Sequence, residues 1–134
     1  MFPGIKASSS GMAAERLRME VIANNVANAN TTRGADGQPF RRREVVFASA
    51  LEQAGPHDFG GVKVVGVQPD NSELPRVFKP GHPHADEDGF VTMPNVVVTN
   101  EMVDLIVASR AYEANLNAMR TYQDMANSTL ELLR

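Results

Sequence analysis

Cysteine and tryptophan are absent from this 134-residue chain, tyrosine occurs only twice, and neither glycine nor proline appears after Pro94. Without thiols there can be no disulfide, no thiolate nucleophile and no thiolate metal site, and the redox compartment stays open. No apolar run approaches the ~18 residues of a membrane span. Met1-Phe2-Pro3-Gly4-Ile5-Lys6 also lacks the basic stretch and long apolar run of a Sec signal, so any passage out of the cytoplasm is expected to take another route. Strong charge of one sign is missing too. Thirteen Lys+Arg stand against 16 Asp+Glu, a net of -3, and the basic residues are scattered apart from Arg41-Arg42-Arg43. That balance excludes a strong pull on nucleic acid. With 43% hydrophobic and 22% charged residues, the chain is expected to fold as a single small domain.

What is present divides into two helical ends and a different middle. Residues 12 to 31 and 95 to 134 contain no glycine or proline, and each carries helical periodicity. In the first, Ser8-Ser9-Ser10 offers N-cap hydroxyls and the helix is expected to reach about Ala29. Ile5, Met12, Met19 and Val26 recur every seven residues, with Ile22 and Ala29 between them. Leu17, Val21, Asn24 and Asn28 form a second row. Two faces then need partners, which suits a helix lying between neighbours, although a small helical bundle could also supply them.

Asn24, Asn25, Asn28 and Asn30 are unusual because asparagine costs roughly 0.7 kcal/mol relative to alanine inside a helix. Asn28 and Asn30 fit either a fraying end with Asn30 as a left-handed cap or cross-helix bonding. Asn24 and Asn25, deeper in the helix, predict amides that bond to a neighbouring helix or main chain and penalise wrong register.

The last helix is expected from a cap at Thr99 or Asn100 to about Leu133, a rod of about 50 Å, with Glu101 and Asp104 complementing its positive end. Leu105, Tyr112, Met119, Ala126 and Leu133 repeat every seven residues, Ala108, Asn115, Tyr122 and Thr129 fill the alternate positions, and Met102, Ile106, Leu116 and Leu130 lie off that seam. These contents are weak for an isolated coiled coil, and the first helix, at about 30 Å, is too short to cover them. The predicted assembly interface is therefore Met12, Leu17, Met19, Val21, Ile22, Asn24, Asn25, Val26 and Asn28 on the first helix. On the last it is Met102, Leu105, Ile106, Tyr112, Asn115, Leu116, Met119, Tyr122, Leu130 and Leu133.

Between the helices, Arg43–Phe47, Val62–Val67, Arg76–Phe78 and Phe90–Met93 are β-branched and aromatic runs bounded by turn formers. They predict a small antiparallel sheet, with Ala54–Gly61 as a mobile loop or connector. Arg41-Arg42-Arg43 reads as a solvated strand edge. Pro80 to Gly89 gathers His82, His84, Asp86, Glu87 and Asp88, ligand types suited to Zn²⁺ or Ca²⁺. The spacing fits neither an EF-hand nor HExxH, and the reading is an exposed turn, with no metal, cofactor or catalytic residue predicted. The fold class is α+β: residues 1–30 and 98–134 form long helices that pair as a coiled coil, and 31–97 form a small β-rich domain.

Val21-Ile22-Ala23-Asn24-Asn25-Val26-Ala27-Asn28 resembles the N-terminal signature of the axial proteins of the bacterial flagellum, the rod, hook and hook-associated subunits. Glu15-Arg16-Leu17-Arg18-Met19, the Gly-His-Pro and Asp-Glu-Asp-Gly-Phe-Val elements of Pro80–Pro94, Glu101–Ile106 and Ser109–Asn115 narrow the resemblance to the proximal-rod subunits of the basal body, over nearly the whole chain. His84, where many relatives carry an acid, and an additional arginine beside Arg41-Arg42 depart from the pattern. The resemblance implies a structural rod subunit with no enzymatic step, whose terminal helices form an inner coiled-coil layer around the export channel and whose middle forms an outer domain. It implies copies of itself, other proximal and distal rod proteins and the rod-to-export-gate adaptor as partners, and export unfolded through the flagellar type III apparatus. The free termini are then expected to be at most nascently helical in dilute solution. A freestanding coiled-coil adaptor and a metal-dependent enzyme centred on His82, His84 and Asp86 are the alternatives from other classes.

Overall fold

The computed structural model describes residues 3–50 and 60–133. Most of the connector expected at Ala54–Gly61 lies outside the described residues. The element order is α1 (Pro3–Ala27), β1 (Arg43–Ser49), β2 (Val62–Pro69), β3 (Arg76–Phe78), β4 (Phe90–Thr92) and α2 (Val98–Leu132).

α1 starts well before the serines expected to cap it. Pro3 occupies the first helical position, where its missing N–H would be unpaired anyway and its fixed φ is already helical. The serines sit inside the helix: Ser10 Oγ donates back to the Ala7 carbonyl at 2.8 Å and accepts from Val62 N–H at 3.1 Å. At the other end Asn28 N–H is shared between the carbonyls of Asn24 and Asn25, and Ala29 N–H and Thr31 N–H close tighter turns on Val26 and Asn28. No non-glycine residue has positive φ among the described residues, so Asn30 is not the left-handed cap; contracted turns satisfy the last carbonyls instead. α2 spans 35 residues, about 50 Å. It begins just ahead of Thr99, with Glu101 N–H donating to the Val97 carbonyl at 3.1 Å.

The chain forms two compact units, one of residues 1–19, 45–66 and 106–134, the other of 20–44 and 67–105. In the first, α1 and α2 run antiparallel and meet through small residues. A Cβ on Gly4 would lie 2.3 Å from Tyr122 Cζ, and one on Gly11 would lie 3.0 Å from Asn115 Nδ2. Both helices advance seven residues between these contacts. Ser8, Ala14 and Ala108 are buried beside them. The face of α1 turned inward is thus the small-residue row, while Met12 and Met19 on the expected seam are only half-buried.

The second unit holds the end of α1, the start of α2 and the β3–β4 ribbon, paired antiparallel with Val77 opposite Val91. Its buried apolar residues are Ile22, Ala29 and Val91. The strands expected from the sequence are present, but as two two-stranded sheets rather than one, β1 with β2 and β3 with β4. Asp70 N–H bonds to the Arg42 carbonyl and Ala50 N–H to the Gly61 carbonyl, which makes β1–β2 antiparallel. Pro69 and Pro75 bracket the connector from β2 to β3, and Asp70 Oδ1 accepts from Ser72 N–H at 2.9 Å. Residues without an N–H and a closed Asx turn cannot extend a ladder, so one strand run is split from the other.

Candidate assembly surface

Asn25 is the best-partnered of the four asparagines. Its Oδ1 accepts from Arg43 N–H at 3.0 Å, and its Nδ2 donates to the Arg43 carbonyl at 2.9 Å and to Glu101 Oε2 at 3.0 Å. One amide thereby ties α1 to the first residue of β1 and the first turn of α2. Glu101, expected to complement the positive end of the helix, is 1% exposed. Its other oxygen, Oε1, accepts from Arg42 Nε at 2.5 Å. Arg42 also pairs with Glu44 and lies 3.6 Å from both Asp70 and Asp104. Partial burial works against the Arg42 charge, but the bonds and charge of Glu101, then Glu44, outweigh it and raise its pKa above the ordinary value. Asn95 completes the lock, its Oδ1 accepting from Arg42 N–H at 2.7 Å and its Nδ2 donating to the Asp70 carbonyl and Ser72 Oγ.

The three arginines therefore do not form a uniform solvated edge. Arg41 donates to the carbonyls of Asp70 and Ser72, Arg42 is the hub of the lock, and only the Arg43 side chain is exposed. The largest fully buried side chains among the described residues are Glu101, Val91 and Asn25. With two of those three polar, and with Ile22 and Val91 the only large hydrophobic side chains buried among the described residues, little apolar surface is hidden there.

Much of it lies outside. Of the predicted interface residues on α1, Ile22 and Asn25 are buried, Met12, Leu17, Met19, Val21, Val26 and Asn28 are half-buried, and Asn24 is exposed. On α2, Tyr112, Asn115, Leu116 and Met119 are half-buried, while Met102, Leu105, Ile106, Tyr122, Leu130 and Leu133 are exposed. Val98, Val103, Val107, Met125 and Leu132 are exposed as well and were not anticipated. A count of hydrophobic residues per turn would have found them: 102–103 and 105–107 are apolar all round the helix except at Asp104. Glu101, Ala108 and Asn115, spaced by seven, form the inward row of α2, which Tyr122 continues by reaching Gly4 while staying 40% exposed; the apolar residues from 102 to 107 point elsewhere. A helix that is apolar on all sides is normally buried.

The histidine-carboxylate turn has its own internal use. Asp86 Oδ1 accepts from Asp88 N–H at 3.1 Å and Phe90 N–H at 2.8 Å, and Oδ2 pairs with Arg76. The Phe90 N–H, then Arg76, hold the Asp86 carboxyl below the usual carboxylate range. His82 Nδ1 accepts from His84 N–H at 3.0 Å, and His84 Nδ1 lies 2.7 Å from Thr32 Oγ1. These side chains shape the link from β3 to β4, and no group of three or more possible metal ligands occurs among the described residues.

Long helices at both ends, a slight β insert and an uncovered apolar helix define a structural protein completed by neighbouring chains. Comparison with known families agrees: residues 5–35 match the flagella basal body rod protein family, and residues 87–132 match the C-terminal family of the flagellar basal body rod FlgEFG proteins. The chain is 40% identical over 149 residues to the flagellar basal-body rod protein FlgC of Borreliella burgdorferi, covering 100% of this chain and 98% of that one. It is 42% identical over 125 residues to FlgC of Salmonella typhimurium, covering 93% and 92%. With FlgC of Bacillus subtilis it shares 37% identity over 145 residues, covering 98% and 97%. The chain belongs to the FlgC family of flagellar basal-body rod proteins. It is a structural subunit of the flagellar basal body that assembles with other basal-body components, not an enzyme. No helix among the described residues is long and apolar enough to cross a membrane.

Proposed function

We propose that the chain builds the proximal rod through the outward faces of its two long helices, with residues 1–30 and 98–134 as the inner layer around the export channel and 31–97 as the outer domain. The observation that carries this reading is the exposure of Met102, Val103, Ile106 and Val107, each at 50% or more. Covering side chains of this size is worth about 1.5–3 kcal/mol each when they start fully exposed, and several neighbours are needed because they point in different directions. Copies of itself, other proximal and distal rod proteins and the rod-to-export-gate adaptor are the proposed neighbours, and the finished tube transmits torque. The small interior supports passage through the flagellar type III apparatus in an unfolded state. Asn24 is the exposed amide proposed to set register between chains.

Ile106→Asp tests the reading. Its side chain is already 57% exposed, so the isolated chain is expected to keep its urea midpoint while basal bodies fail to incorporate it and cells lose motility. Normal incorporation of this variant would refute the proposed interface.

A further inference from the structure

A groove of about 600 Å³ lies beside the end of α1. Phe40, Pro69 and Leu74 give it apolar walls, and Arg41 and Arg43 give it two cations against a single acid, Asp36. Asp36 is turned to local use, its Oδ1 accepting from Gln38 N–H at 3.0 Å. Arg41 Nη1 holds the opposite wall by donating to the carbonyls of Asp70 at 3.2 Å and Ser72 at 2.8 Å. The Arg43 backbone is fixed at both its N–H and its carbonyl by Asn25. Its guanidinium, however, is exposed and forms no ion pair among the described residues. The groove therefore combines apolar walls at Phe40, Pro69 and Leu74 with a cation that has no ion pair among the described residues.

The complementary surface is the tail of α2 beyond Tyr122. Asp124 and Glu131 lie seven residues apart in one row, and Met125 and Leu132, 60% and 87% exposed, form the adjacent row. Residues 121–133 contain no basic residue. Neither carboxylate has a partner among the described residues. Glu131, in the last turn, adds to the negative end of the helix macrodipole instead of offsetting it. This segment exposes apolar area and concentrates negative charge, and a cationic groove with apolar walls relieves both.

We infer that the α2 tail of a second copy docks in the Arg41–Arg43 groove, with Leu132 entering against Phe40 and Leu74 and Glu131 meeting Arg43. Such a contact joins two different surfaces of the same chain, and heterologous contacts that do not close generate open helical arrays. It goes beyond the Met102–Val107 surface proposed above and uses none of those residues.

The absence of cysteine from the chain makes a direct test possible. Full-length chains carrying Leu74→Cys and full-length chains carrying Leu132→Cys are mixed and oxidised, and the disulfide-linked species are separated. The heterodimer is expected to exceed either homodimer several-fold. Arg43→Glu in the first chain is expected to remove that excess, and Glu131→Arg in the second to restore it; a merely structural role for Arg43 would give no such rescue. Arg43→Gln, also read by heterodimer yield, replaces Arg43→Glu if the latter changes the circular dichroism spectrum. Heterodimer no more abundant than the homodimers, or a charge swap without rescue, would overturn the inference. If Ile106→Asp still blocks incorporation in that case, the helix surface stands and only the groove contact fails.

Discussion

Asn24 and Asn25 are chemically identical neighbours in the same helix, yet their replacement by alanine should shift stability in opposite directions. Asn25 is 1% exposed and makes three hydrogen bonds, two to Arg43 backbone and one to Glu101. At about 1 kcal/mol net for each bond, Asn25→Ala forfeits about 3 kcal/mol, and the buried Glu101 oxygen left without its donor adds to that. Better helix propensity returns roughly 0.7 kcal/mol, leaving a net loss of about 2–3 kcal/mol. Asn24 is exposed and its side chain has no partner among the described residues, so Asn24→Ala should gain about 0.7 kcal/mol from propensity alone. Small domains are stable by only about 5–15 kcal/mol, so a gap of about 3 kcal/mol is readily measured by urea unfolding of the isolated chain followed by far-ultraviolet circular dichroism. The slope of the transition should stay constant while its midpoint moves. Equal midpoint shifts for the two variants would refute the assignment of Asn25 as the internal tie.

Glu101→Gln keeps the shape of the lock and can still accept from Asn25, but it removes the charge facing Arg42. Because Arg42 is 21% exposed and retains three other carboxylates, the expected loss is about 1–2 kcal/mol, seen as a lower urea midpoint. Gly11→Leu places a branched side chain where even a Cβ would lie 3.0 Å from Asn115; overpacking of this kind should cost about 1–3 kcal/mol and reduce helicity in the isolated chain. Asp70 and Asp86 both have folded pKa values held below the ordinary carboxylate range, by Ser72 and Phe90 N–H bonds first and by Arg42 and Arg76 after them. The unfolded chain then binds more protons in acid, so their contribution is fully present above a pH of about 4 and disappears as the pH falls through the lower folded values. Asp86→Asn should flatten the acid limb of a stability-versus-pH curve.

The ends of the chain were legible because helical periodicity and the lack of breakers are local properties. The strand spans were legible for the same reason: β-branched runs such as Val62–Val67 lie between turn formers. What the helices do with their faces was harder to read. Large apolar residues at every seventh position point to Met12 and Met19, whereas close packing is achieved at Gly4, Gly11 and Ala14, where the absence of side-chain volume is the signal. Glu101 was read from its place in the first turn as a dipole partner, since its burial depends on Asn25 and Arg42, 76 and 59 residues away in sequence. Arg41-Arg42-Arg43 looked uniform in sequence and was divided into three roles by contacts with the β2–β3 connector and α2. Asn24 and Asn25 could be flagged as costly in a helix, but which one turned inward was decided by tertiary contact.

The division of labour between polar and apolar groups also explains how one chain can be both specific and incomplete. Buried apolar side chains stabilise a fold in proportion to area, and here the described ones are mostly alanines with Ile22 and Val91. Polar ties such as Asn25 and Glu101 add modest net stability, but they are intolerant of wrong geometry, because a displaced partner leaves a buried group unsatisfied. The chain thus uses hydrogen bonds to set the register of α1 against α2, and leaves most of the large apolar side chains of α2 facing outward. A more self-sufficient core would have to turn Met102, Ile106 or Leu130 inward, and every such residue withdrawn from the surface would be one fewer available to hold neighbouring subunits in the rod.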